Sequence, residues 1–236
     1  MIFRLVEKDP FPRSEVSRRM SLTAQMSYLS DRICGPLVAR TARNYSNAIR
    51  TPKHFVEILF LVEDKRFPIH FGIDPVAIAR AITFNLKEGA LQGASTIVQQ
   101  VYSIKRSRTE RISRSLMYKV KQIAWAIGES ATTSRASILK EYVETVYWGR
   151  SYHGLDKAVE GYFGGTRTSL SVAQSFFLAE RIAAPNRIST QRISNLLSRV
   201  PIKNNLARNG ATIEDVSKVY EGVYGDGGDV WRILEK

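Results

Sequence analysis

The chain has 236 residues, 44% hydrophobic and 24% charged, values that exclude global disorder and collagen-like structure. Its 35 basic and 22 acidic residues give a net charge of +13, which favours a polyanionic partner: nucleic acid, an anionic membrane surface or a phosphorylated substrate. The single cysteine, Cys34, excludes an intrachain disulfide, and the three histidines lack zinc-ligand spacing. The chain shows neither a signal-peptide pattern nor an apolar run near the ~20 residues of a membrane span.

The periodicity of apolar residues divides the chain into two parts. Residues 1–50 show only patchy periodicity and are predicted to form a loosely helical N-terminal extension, whereas residues 51–236 are predicted to form one helical domain. No stretch alternates as a strand does, so the fold class is predicted to be mainly α. The predicted helices combine apolar residues at helical spacing with a capping residue or a glycine at one end: 52–63, 74–89, 95–102, 105–128, 134–146, a short one through 162, 171–185 and one from 212.

The predicted helix 105–128 is amphipathic. Its first half is strongly basic, which favours a phosphate or pyrophosphate ligand over a merely solvated face. The apolar residues of this helix recur at intervals of three and four: Ile112, Leu116, Val120, Ile123 and Ile127.

Two carboxylates stand where the helix 52–63 ends. Glu63 and Asp64 follow an apolar run and precede Phe67 and His70 in a predicted loop. Because burial at an apolar wall disfavours the charged form of a carboxyl group, one of them is a candidate general base or acid. The alternative is a solvated helix end beside a loop.

A second segment combines small residues with neutral hydrogen-bonding side chains. Ser95 and Thr96 supply hydroxyls, and Gln99 and Gln100 supply amides, after a glycine turn. Such a segment can direct backbone N–H groups and neutral donors at an anion or a sugar. The alternative is an ordinary serine-capped helix.

The order of these pieces resembles a known family. Residues 63–74 and 93–100 look like the first two motifs of the peptidoglycan glycosyltransferases, which occur as monofunctional enzymes and as the N-terminal module of bifunctional penicillin-binding proteins. Arg114 with Lys119 resembles the third motif, and further pieces between residues 138 and 185 resemble the fourth and fifth. The resemblance covers roughly residues 52–220.

The resemblance implies a lysozyme-like, mainly α fold with a large lobe and a smaller membrane-facing jaw lobe. It implies an enzyme at the periplasmic face of the bacterial inner membrane whose partners are lipid II, the growing glycan strand and the membrane surface. Because lipid II lies in a membrane, contact with the bilayer is expected from apolar residues between the first and third motifs, with core packing as the alternative: Leu86, Leu91, Val101, Tyr102 and Ile104. By this resemblance Glu63 is the general base, supported by Asp64, Phe67, His70 and Gln122. The substrate-binding set that it implies is Ser95, Thr96, Gln99, Gln100, Arg114 and Lys119.

Several positions depart from the family's pattern. Gln122 stands where the third motif has a second functional glutamate, Ser103 where the second motif has lysine, and Tyr118 where arginine is usual. No cofactor is expected, and a divalent metal is left open although an amide at position 122 binds metal less well than a carboxylate. These departures leave a catalytically silent, glycan-binding relative as the alternative. Nucleic-acid binding is not expected, because no nucleic-acid-binding motif accompanies the charge.

Overall fold

A computed structural model describes residues 22–88, 93–107 and 116–225. Regular structure in these residues is helical, which confirms the mainly α fold class. None of these helices combines the length and apolarity of a membrane span. They are α1 (Leu22–Ile49), α2 (Lys53–Glu63), α3 (Pro75–Glu88), α4 (Ile97–Ser107), α5 (Leu116–Thr132), α6 (Arg135–Thr145), α7 (Leu155–Phe163), a 3-10 turn (Arg167–Ser169), α8 (Val172–Arg181), α9 (Thr190–Leu197), α10 (Val200–Arg208) and α11 (Ile213–Tyr224).

Helix α2 is the centre of the core. Every side chain from Phe55 to Leu61 is buried, including that of Glu57, so the helix is enclosed on all sides. A helix that is apolar all round is stable only when other elements surround it. Helices α1, α8 and α10 pack against it. This burial fixes α2 rigidly and presents its last residue, Glu63, at a defined place.

The C-terminal half of α1 belongs to the same core. Cys34, Val38, Ala42 and Ile49 are buried there, and α1 packs against α2 and α6. The sequence assigns these residues to an extension ending at residue 50. The helix instead contributes an apolar stripe to the domain predicted for residues 51–236, so its packing favours a boundary earlier in the chain.

Most predicted helix starts are confirmed by capping hydrogen bonds. The hydroxyls of Ser134, Ser171 and Thr212 accept bonds from the backbone N–H three residues later. The carboxylate of Asp74 accepts from the Ala77 N–H at 3.0 Å. Each bond satisfies an N–H that has no partner within its own helix.

Several predicted helix boundaries are wrong. Thr96, not Ser95, caps α4: its Oγ1 accepts from the Gln99 N–H at 3.2 Å, and Gln99 Oε1 accepts from the Thr96 N–H at 3.0 Å. This reciprocal pair is a capping box, and the helix extends to Ser107 rather than Tyr102. Gly128 does not end α5, which continues to Thr132.

Helix α5 leaves most of the described residues of its apolar series exposed. Leu116, Met117, Val120 and Ile127 are 82%, 62%, 52% and 44% exposed, whereas the buried positions are Gln122 and Ala126. Of the expected membrane contacts, Val101 and Tyr102 are buried and Ile104 is half-buried. Periodicity reveals that a helix has two faces, but only tertiary packing decides which one is covered. The side chains of Leu86, Leu91 and Ile112 lie outside the described residues.

Gly72 brings the loop after α2 onto α5. Its φ is +78°, and a Cβ there would lie 2.1 Å from the carbonyl oxygen of Ala126. Replacing Gly72 by alanine is expected to destabilise the fold by at least about 2 kcal/mol, because it adds a backbone clash to left-handed strain. Urea unfolding measures the change. Gly128→Ala is the control, because nothing lies within 4 Å of its Cβ position, and equal stability of the two variants would contradict the prediction.

Candidate active site

Glu63 is the last residue of α2, and its side chain is only 9% exposed. Its Oε2 accepts a 2.9 Å hydrogen bond from Gln100 Nε2, and its Oε1 lies 4.0 Å from Arg192 Nη2. Burial raises the pKa of the carboxyl group, the bond from Gln100 and the charge of Arg192 oppose the rise, and the charges of Asp64 and Glu180 add to it. A carboxylate with a raised pKa and few hydrogen-bond partners is well suited to accept a proton.

Tyr142 fixes the orientation of the glutamine that binds Glu63. Its hydroxyl donates to Gln100 Oε1 at 2.8 Å, so the amide NH2 of Gln100 is directed at Glu63. Burial raises the pKa of Tyr142 well above its ordinary value, and the charges of Glu63 and Asp64 add to this, so the phenol keeps its proton. Tyr142 is absent from the predicted site residues, although it belongs to a segment that resembles the family's fourth motif.

Asp64 ties the loop to α4 instead of facing the cleft. Its Oδ2 accepts a 2.9 Å bond from the Ile97 N–H and contacts His70 Nε2 at 2.9 Å. A carboxylate at the first turn of a helix also interacts favourably with the helix dipole. Phe67 is fully buried, with its ring centroid 5.1 Å from that of Phe60. These contacts fix the loop that follows Glu63, and the supporting role of Asp64, Phe67 and His70 in catalysis stays a prediction.

The polar segment before α4 divides into two groups. Thr96 and Gln99 are 2% and 1% exposed and are used by the capping box, and Thr96 Oγ1 also donates to the Gly72 carbonyl at 2.6 Å. Ser95 is exposed and Gln100 half-buried, and both line the cavity described below. Substrate binding by Thr96 and Gln99 stays a prediction that their buried polar groups do not favour.

Gln122 is the centre of a hydrogen-bonded cluster formed by the residues that depart from the family's pattern. Its Nε2 donates to Ser103 Oγ at 2.7 Å and to the Gln99 carbonyl at 2.8 Å, and its Oε1 accepts from Lys119 Nζ at 2.7 Å. Tyr118 donates to Ser103 Oγ at 3.1 Å. Tyr118 and Gln122 thus both contact Ser103, so the three positions that depart from the family's charged pattern are joined through one hydroxyl, with Lys119 as the cation bound to Gln122.

Of the two basic residues assigned to the third motif, Lys119 is the one that the structure describes. Its Nζ also donates to Ser95 Oγ at 3.2 Å, and burial lowers its pKa. Arg114, the second predicted phosphate ligand, lies outside the described residues.

The site does not favour a metal ion. Among the residues described, no group of three or more histidine, cysteine or acidic side chains could hold one. The amide oxygen of Gln122 is already bound to an ammonium group, whose positive charge disfavours a neighbouring cation.

A cavity of about 260 Å³ lies beside these groups. Its polar wall includes Ser95, Gln100 and Gln122, and its apolar wall includes Tyr147 and Pro185. A pocket with a polar wall facing an aromatic and apolar one suits a sugar, whose faces are apolar and whose edges carry hydroxyls.

The sequence gives no signal for Arg192, which contacts Glu63 from α9. The two residues are distant in the chain, and residue patterns report only neighbours within a few positions. Its other partner, Glu180, is fully buried in α8 and is likewise absent from the predicted site.

Comparison with known proteins gives one family. Residues 31–207 match the family model described as Transglycosylase. The chain is 34% identical over 144 residues to penicillin-binding protein 1A of Aquifex aeolicus, covering 61% of this chain and 19% of that protein. It is 35% identical over 136 residues to penicillin-binding protein 1A of Escherichia coli, covering 57% and 16%, and 35% identical over 150 residues to penicillin-binding protein 1A/1B of Bacillus subtilis, covering 63% and 16%. The matched region thus spans less than a quarter of each relative's length.

Proposed function

Because this chain belongs to the transglycosylase family, we propose that it is a peptidoglycan glycosyltransferase that builds glycan strands from lipid II, with Glu63 as its general base. The observation that carries the proposal is the buried Glu63 carboxylate, which is hydrogen-bonded to Gln100, a residue that lines the cavity with polar and apolar walls. Its raised pKa brings the proton-accepting group toward the pH at which such an enzyme works.

The proposed reaction is a displacement at the anomeric carbon of the donor. Glu63 takes the proton of the acceptor's 4-hydroxyl while that oxygen forms a bond to the donor C1. The bond from C1 to the pyrophosphate oxygen breaks, and the pyrophosphate leaves with the electron pair. Lys119, held by Gln122 and Ser95, supplies positive charge for the leaving group.

Lys119→Met is expected to weaken the affinity for a pyrophosphate-bearing donor by about tenfold or more, because a charge-assisted bond is lost while the apolar stem is kept. Titration of lipid II in detergent measures the affinity. Lys121→Met is the matched control, since this lysine is exposed on the same helix, whereas the bonds to Ser95 and Gln122 are made by Lys119. Equal affinities in the two variants would remove Lys119 from the donor site.

The exposed apolar face of α5 is the proposed contact with the membrane that carries lipid II. Leu116, Met117 and Val120 project there, with exposed Lys119 and Lys121 beside them. Apolar side chains that enter the interface and basic residues near an anionic leaflet, worth ~1 kcal/mol each, together give reversible attachment. We propose that the protein acts at the outer, cell-wall face of the bacterial inner membrane, where a glycosyltransferase of this kind would meet lipid II.

Replacing both Leu116 and Val120 by aspartate is expected to reduce flotation with anionic vesicles several-fold, because it removes apolar area and adds negative charge to this face. The control replaces Ile33 and Val200, also exposed, by aspartate and thus makes the same change in charge elsewhere. A specific membrane contact of α5 would be contradicted if both variants lost flotation equally. It would also be contradicted if the parent chain floated equally well with neutral and with anionic vesicles.

The direct test of the proposed function is incubation of the full chain with labelled lipid II in detergent. Polymer on a gel, absent with Glu63→Gln, is the expected result. Lack of polymer under conditions in which a known glycosyltransferase is active would refute the proposed activity.

The neutral side chains of Gln122 and Ser103 support a second candidate, a silent relative that binds lipid-linked glycan. Gln122→Glu alone would place a carboxylate oxygen against the Gln99 carbonyl, now 2.8 Å from an N–H donor. Ser103→Lys would supply the missing donor, so only the double variant is expected to restore a charged pair. If the parent chain is inactive and the double variant polymerises lipid II, this second candidate is favoured.

A further inference from the structure

A line of charged groups runs from Glu63 into the protein interior. Arg192 lies between two carboxylates: its Nη2 is 4.0 Å from Glu63 Oε1, and its Nε is 3.5 Å from Glu180 Oε1. The Arg192 side chain is 35% exposed, whereas that of Glu180 is completely buried. One guanidinium thus faces both the carboxylate proposed as general base and the fully buried carboxylate of Glu180.

Glu180 uses its two oxygens differently. Oε2 accepts from Arg181 Nε at 2.8 Å and from the Tyr220 hydroxyl at 2.9 Å. Oε1 has no hydrogen bond within the described part of the chain and faces Arg192. Hydrogen bonds from the interior thus hold one oxygen of Glu180, and the other oxygen is left to attract Arg192. The helix that carries Arg192 begins at a Ser189 cap.

The other groups described around Glu63 do not supply a positive charge. Gln100 of α4 is neutral, and Tyr142 of α6 donates to Gln100 and keeps its proton. Asp64, next in the chain, is negative and is held by His70 and the Ile97 N–H. Among the residues described, Arg192 is therefore the positively charged group nearest to Glu63.

We propose that Arg192 is a positioning residue, which the buried Glu180 holds against Glu63 and which keeps Glu63 a carboxylate, the form that can accept a proton. This inference rests on the proposed role of Glu63 as general base. Two buried carboxylates facing each other without a cation between them would favour protonation of one. Arg192 shields Glu63 from Glu180 and interacts favourably with both.

The test is a ¹³C NMR titration of the Glu63 carboxyl carbon in the full chain, with the signal identified by its loss in Glu63→Gln. Arg192→Gln is expected to raise the pKa of Glu63, and Arg192→Lys, which keeps the charge, is expected to raise it less. Glu180→Gln is expected to lower it, because a like charge is removed. The acid limb of the pH profile of kcat/KM should move in the same directions, with about a tenfold loss at low pH for each pH unit of upward shift.

Arg208→Gln is the matched control, because Arg208 pairs with the buried Glu57 on α2 but does not contact Glu63. An unchanged Glu63 pKa in Arg192→Gln, or an equal shift in Arg208→Gln, would overturn the inference. The titration needs no turnover, so it separates this inference from the proposed function. Arg192 is at the surface, so its variants keep the test valid if Glu180→Gln fails to fold.

Discussion

Glu63→Gln is expected to abolish glycan polymerisation. The amide keeps the size of the side chain and a hydrogen bond to Gln100, but it accepts no proton, and general-base catalysis is typically worth ~10²–10⁴-fold. A gel assay with labelled lipid II measures the loss. More than about a tenth of the parent activity in the variant would contradict the assigned role.

The same variant is also expected to be more stable than the parent near neutral pH. The pKa of Glu63 is raised in the folded state, so ionisation of this group disfavours folding as pH rises from its ordinary pKa to the raised one. The Glu63→Gln variant loses no stability in this way. The difference between its free energy of unfolding in urea and that of the parent should therefore grow from pH 4 to pH 7. Glu214→Gln, at an exposed ion pair, is the control and should show no comparable trend.

Arg181→Met is expected to lower the free energy of unfolding by about 3–5 kcal/mol. Arg181 is completely buried, donates to Glu180 Oε2 at 2.8 Å and to the Arg187 carbonyl at 2.7 Å, and lies over the rings of Phe177 and Tyr220. Methionine fills much of the volume, so the main loss is that of the charge partner of Glu180.

A double variant, Glu180→Leu with Arg181→Met, separates the lost ion pair from lost packing. It removes both charges and should recover much of the stability in urea unfolding. A double variant as unstable as the single one would show that packing of the guanidinium, not charge pairing, dominates at this position.

Local signals in the sequence predict local structure well. The caps at Ser134, Ser171 and Thr212 are confirmed because a capping bond joins residues only three positions apart. The motif that follows an apolar helix also identifies Glu63 as a candidate, and its role as general base stays a prediction. Choosing Ser95 over Thr96 as a cap failed because both carry hydroxyls, and only the reciprocal bond from Gln99 distinguishes them.

Features that depend on tertiary packing could not be predicted in this way. The apolar series of α5 indicates a helix but not that its buried face would carry Gln122, whose polar atoms find partners on α4 and within α5. The contact of Arg192 with Glu63 joins α9 to α2 and leaves no periodic trace in the sequence. Tyr142 acts through Gln100, a link visible only when α6 and α4 are seen together.

The bond from the Ile97 N–H to Asp64 has a consequence for the dynamics of the site. This amide belongs to the first turn of α4, yet its acceptor belongs to the loop that follows Glu63. Its proton can therefore exchange with solvent only when the loop and the helix start separate, a local opening that also releases His70. The hydrogen-exchange rate of this single amide thus reports how often the loop next to the proposed base opens, independently of global unfolding.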